Sequence, residues 1–159
     1  MRGNAIIVSS NPKGQYDEGT IGEANRSPGT IMQLKAATPF QGGRPVWVAA
    51  ASGTDGKDVL YAVLLEDDQQ GVTATGAGAV YAINTHCRLY FPIKGEEMNI
   101  LAGEVAGTGN SFAIGDRLIV DAEDGILIPE TGTPQATFAV SMQALPQVAG
   151  STLLWVKII

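Results

Sequence analysis

His86 and Cys87 stand side by side and are the only histidine and the only cysteine in a chain of 159 residues. A thiol next to an imidazole is the raw material of a nucleophile and its base. Neighbours on a strand point to opposite faces, however, so this pair cannot pass a proton between them. Zinc takes three or four His, Cys or carboxylate ligands, and one of each falls short. Both residues are expected at core or interface positions. Carboxylates gather at Asp55 and Asp58, at Glu66-Asp67-Asp68, and at Asp121, Glu123 and Asp124. A calcium loop starting at Asp121 fails, because its twelfth position is Gly132 rather than a glutamate. All three groups read as turn residues that solvate strand ends. Glu96-Glu97 reads the same way, since adjacent charges in an exposed turn have no reason for split pKa values.

Glycine and serine patterns are equally unproductive. Gly76-Ala77-Gly78 and the stretch from Gly103 to Gly109 lack both a following helix and a Lys-Ser/Thr pair, so no phosphate cradle is indicated. Ser52 and Ser111 lie near glycines without the Gly-x-Ser-x-Gly elbow of a hydrolase. Tyr16, Tyr61, Tyr81, Tyr90, Trp47 and Trp155 could line a sugar-binding face, but most fall within strand patterns and read as core. The expectation is a protein with no catalytic residues, no cofactor, no metal and no small-molecule substrate.

Composition narrows the partners. With 45% hydrophobic and 16% charged residues the chain has the makings of one folded domain with a proper core. A net charge of −6, with every Lys and Arg standing alone, argues against nucleic acid and anionic membrane as partners. A single cysteine excludes an internal disulfide framework. The only apolar run near the N-terminus, Ala5-Ile6-Ile7-Val8, is too short for a signal core or a membrane span, so synthesis in a cytoplasm is expected.

The elements needed to position these residues are strands. Twenty glycines dispersed among short apolar runs mark many turns. Strands are expected from Thr30 to Lys35, Val46 to Ala50, Asp58 to Leu65, Met98 to Val105, Arg117 to Val120 and Leu153 to Ile159. Asp58 to Leu65 is apolar on both faces and reads as a central strand covered on both sides. Ala79 to Ile93 reads as one strand, or two with a bend. Thr137 to Leu145 fits a strand or a helix equally. Asp124-Gly125 signals a turn of positive φ. No segment of twelve residues carries a 3.6 period. The whole is mainly β, a single barrel-like or sandwich-like domain with at most one short helix.

Residues 1–29 differ from the rest in being rich in Gly, Ser, Asn and Pro. They read as an extended N-terminal arm ahead of a β-rich domain at residues 30–159. Ala5, Ile6, Ile7 and Val8, with Tyr16 as a further anchor, suit a short strand added to a neighbour's sheet edge. A frayed tail or a first edge strand of the same domain accounts for the segment equally well.

Two segments carry a family resemblance. One runs Phe91-Pro92-Ile93-Lys94-Gly95-Glu96-Glu97-Met98-Asn99-Ile100-Leu101-Ala102-Gly103. The other begins Phe112-Ala113-Ile114-Gly115-Asp116-Arg117-Leu118-Ile119-Val120 and continues through Asp124-Gly125 to Pro134. With Ser27-Pro28-Gly29-Thr30 before them and an apolar last strand after, this order resembles the head decoration (cement) proteins of tailed bacteriophages. The resemblance implies a β-tulip-like fold, a homotrimer on the outer surface of the virion's capsid, and the major capsid protein as partner. It implies stabilisation of the expanded head, with the arm bridging subunits. Other virion β modules (a head fibre base, a tail tube, a baseplate part) and a carbohydrate-binding module are the competing readings.

Overall fold

The computed structural model describes residues 6–50, 60–72, 80–103, 110–121, 124–130, 137–148 and 150–159. Among the described residues the secondary structure comprises thirteen strands and one 3-10 turn, Asp68–Gln70. In chain order the strands are β1 Gln15–Ile21, β2 Ile31–Leu34, β3 Phe40–Gln41, β4 Arg44–Ala49, β5 Ala62–Leu64, β6 His86–Phe91 and β7 Glu97–Gly103. They continue with β8 Asn110–Phe112, β9 Arg117–Val120, β10 Leu127–Pro129, β11 Ala139–Ser141, β12 Leu145–Val148 and β13 Ser151–Ile158. The mainly β reading holds, and barrel closure occurs twice.

The first ring runs β1-β6-β5-β2-β4 and is closed by the parallel pairing of β1 with β4, with β3 hanging from β4. The second is a closed barrel in the order β10-β7-β13-β11-β9. Its longest ladder joins β13 to β7 from Ser151↔Gly103 to Lys157↔Glu97. Strands β8 and β12 form a separate pair. Residues 137–145, which fitted a strand or a helix, become β11 and the start of β12 with a bend between them.

The period-2 alternation of a strand explains how the rings join. In β5, Ala62 and Leu64 enter the first ring's core with Ile21, Met32, Trp47, Cys87 and Leu89. Val63 between them points the other way, as do Ile31 of β2 and Tyr90 of β6. Those three pack in the second core with Met98, Ile100, Leu118, Leu127, Leu154 and Val156. The two apolar faces of Asp58 to Leu65 anticipated this double burial, but among the described residues it is confined to Ala62–Leu64 and its flank Leu65, since Leu60 is 64% exposed.

The Asp124-Gly125 turn stitches the rings together. Gly125 has φ +64°, and its amide donates to the Ala50 carbonyl at 3.0 Å. Its own carbonyl accepts from the Ile31 amide at 2.7 Å. A Cβ at Gly125 would lie 2.2 Å from the Ile31 carbonyl oxygen, so only glycine fits this contact.

Candidate binding crevice

Between the two barrels lies a crevice of about 1370 Å³. One wall is the outward face of β1 and β6, which alternation gives to Tyr16, Glu18, His86 and Arg88. The opposite wall comes from β7 and β13 through Asn99 and Trp155. The strap residues Ile7, Val8, Ser9 and Pro12, with Leu65, Glu66, Asp67, Gln69 and Gln70, complete the lining.

The strap, residues 6–14, is fastened by backbone hydrogen bonds, by the Ile6 side chain in the second core and by the Ser9 hydroxyl, which accepts from the Glu97 amide at 2.8 Å. Ile7 bridges Met98, the Asn99 amide donates to the Ile6 carbonyl at 2.7 Å, and the Val8 amide donates to the Glu97 carbonyl at 3.0 Å. At its start the Ile6 amide faces both carboxylate oxygens of Glu66 at 3.4 Å. At its end Glu96 accepts from the Lys13 amide and from the Gly14 amide at 3.1 Å. The same carboxylate accepts the Tyr90 hydroxyl at 2.8 Å and the Ile93 amide at 3.0 Å. Burial alone would raise the pKa of Glu96, which is 6% exposed. The Ile93 and Lys13 amides, then the Tyr90 hydroxyl and the Gly14 amide, outweigh it and hold the pKa below the ordinary 4.5. Glu96 is thus a buried clamp rather than the solvated turn charge its sequence context suggests. Its neighbour Glu97 faces outward and accepts the Trp155 indole N–H at 3.0 Å.

Asp67 departs from expectation in the same way. It is 6% exposed, and burial would raise its pKa. Donation from the Gln70 side chain at 2.7 Å and the Gln69 amide at 3.0 Å reverses this and holds it below the ordinary value. Gln70 also donates to the His86 carbonyl at 3.1 Å. The imidazole Nε2 of His86 lies 3.3 Å from Glu18.

The residues singled out in the sequence are distributed as follows. Ile6 is fully buried in the second core, Ile7 is half-buried, and Val8 and Tyr16 are exposed. In the single chain the segment from Ile6 onward therefore lies along its own domain, and Gln15–Ile21 is a full strand of the first ring. Ala5, Ser52, Asp55, Asp58, Gly76, Gly78 and Glu123 fall outside the described residues. Cys87 and His86 point apart as expected. Cys87 is sealed in the first core, where burial pushes its thiol up to about 12, while His86 reaches the crevice. Of the six aromatic residues considered for a sugar face, Trp47, Tyr81 and Tyr90 are core. Tyr61 is half-buried against Phe138. Tyr16 and Trp155 are exposed and line the crevice.

The sequence reading missed Glu96 as a clamp and Glu18, Asp67 and Gln70 as crevice residues. The one available signal was Glu96 lying three residues past Ile93 in a Pro-Ile-Lys-Gly turn, a spacing from which a side chain reaches back to a turn amide. Among the described residues no group of three His, Cys, Asp or Glu is placed to hold a metal ion. None of their helices is long and apolar enough to cross a membrane.

No protein-family model matches the chain, and no curated protein matches it. Among solved structures, the crystal structure of the head fiber gp8.5 N base in bacteriophage phi29 is similar, with a TM-score of 0.56. The match covers 92% of this chain and 95% of that one at 13% identity. The two proteins share a fold along nearly their whole lengths.

Proposed function

We propose that the chain is a structural protein of a bacteriophage head, borne on the outer surface of the shell and acting without catalysis. The observation that carries this reading is the fold shared with a head fibre base over almost all of both chains. The order of motifs from Phe91 to Gly103 and from Phe112 to Pro134, which resembles decoration proteins, points to the same surface.

In the finer reading the protein binds the major capsid protein as a homotrimer and stabilises the expanded head. Three bodies on one site raise avidity by a factor of about 10² or more without strong single contacts. Val8 on the strap and Tyr16 on β1 are the exposed arm positions open to a neighbour, while Ile6 and Ile7 tie the strap to the body. A second reading, the base of a head fibre, is favoured by the solved neighbour itself.

Light scattering on the purified protein, followed by co-sedimentation with expanded and unexpanded heads, tests the proposal. A trimer that saturates expanded heads supports it. Filling of every equivalent site marks a decoration protein, and filling of a sparse subset marks a fibre base. A monomer that ignores both kinds of head overturns the reading.

A further inference from the structure

We infer that the crevice between the barrels is a binding site for a neutral oligosaccharide, with Tyr16 and Trp155 as its stacking platforms. This function is separate from attachment to a shell and does not depend on it.

Exposed aromatic rings on strands are the first indication. Trp47, Tyr81 and Tyr90 are at most 2% exposed, whereas Tyr16 is 58% and Trp155 37% exposed, and both of these line the same crevice. Each ring is held in place before any ligand arrives. Tyr16 packs on Tyr90 with centroids 5.0 Å apart, and the Trp155 indole is tethered by its bond to Glu97. Fixed amphipathic rings give contact area at low entropic cost, which is what the apolar face of a sugar ring requires.

The polar lining suits hydroxyl groups, each of which needs both a donor and an acceptor. Glu18 and Glu66 offer acceptors, Arg88 offers donors, and Gln70 is already oriented by Asp67 and the His86 carbonyl. Three carboxylates (Glu18, Glu66 and Asp67) face one arginine in the lining, so an anionic glycan would be repelled. The volume exceeds the roughly 300–1,000 Å³ of pockets that hold drug-sized ligands, which points to several linked sugars rather than one.

An extended peptide is a poorer fit. Strand addition needs an open backbone edge. β6 is paired on both sides by β1 and β5, and β13 by β7 and β11. The edge of β7 at Glu97 to Asn99 is taken by the protein's own strap. Recognition along these three strands must come from side chains.

Titration of the full chain with maltohexaose, cellohexaose and chitohexaose, read by calorimetry and by Trp fluorescence, tests the inference. At least one of them is expected to bind, and Tyr16→Ala and Trp155→Ala each to weaken that binding about tenfold. Trp155→Phe keeps a stacking surface and should recover most of the affinity, which separates stacking from a loss of fold. Failure of all three sugars to bind, or equal binding by the two alanine variants, overturns the inference. So does competition in which a capsid-derived peptide alone occupies the crevice.

Discussion

The two barrels differ in whose side chains fill them. The first ring closes over a core drawn from its own strands and connecting segments, centred on Trp47, Met32, Leu64 and Leu89. The second core is shared: alongside Met98, Leu127 and Val156 it takes in Ile31, Val63 and Tyr90 from the outside of the first ring, and Ile6 from the strap. One barrel therefore serves as a wall of the other. The rings should unfold together, with the first as the platform on which the second is built.

Emptying the first core is the severest way to break this relation. Trp47→Ala should cost about 3–5 kcal/mol, because a buried indole leaves a void that strands β1, β4 and β6 cannot collapse into. Calorimetry should still show a single transition at lower temperature. Two separate transitions would mean that the rings are independent. Ile6→Ala removes the plug that the strap contributes to the shared core and should cost about 2–4 kcal/mol. Hydrogen exchange should then quicken most at Val8 and Asn99, whose amides hold the strap, and in the first ring only by the loss of global stability.

Glu96→Gln is a smaller perturbation with a clearer signature. Replacing a carboxylate that accepts four hydrogen bonds should cost about 2–3 kcal/mol at neutral pH. Because folding depresses the pKa of Glu96, the unfolded chain binds more protons between the folded value and the ordinary 4.5. Stability in that window rises with pH. The contribution of Glu96 is complete above 4.5 and is lost as the pH falls through the folded-state value. Urea titrations of the native protein from pH 6 downward should show this decline, with a residual fall from Asp67, and Glu96→Gln should flatten the first part. Phe40→Ser should be the mildest change. Phe40 is 66% exposed on β3, which among the described residues pairs only with β4, so stability should move by less than about 0.5 kcal/mol.

How much of this was legible depends on where each residue's partners lie in the chain. β5 was readable because two apolar faces can only mean two cores. β13 was readable too, since Leu154, Val156 and Ile158 turn inward while Trp155 and Lys157 stay exposed, as their alternation required. β1 was hidden. Its inward position Gly19 has no side chain because the Trp47 ring fills that space, with Cδ1 2.4 Å from where a Cβ would sit. Its outward positions Tyr16 and Glu18 belong to the crevice. A strand whose inner face buries only the Ile21 side chain, at its end, and whose outer face is largely polar, resembles a loop. Glu96 was hidden for a different reason. The amides that bury it come from Lys13 and Gly14, more than eighty residues away, and no local pattern announces such a neighbour.

The proposed function concerns place, and electron cryomicroscopy of expanded phage heads incubated with the purified protein, or of any particle whose genome encodes it, tests it most directly. The proposal requires density for the paired barrels on the outside of the head, seated over capsid subunits around a three-fold position. Density confined to the tail, or a mature particle that lacks the protein altogether, would contradict it.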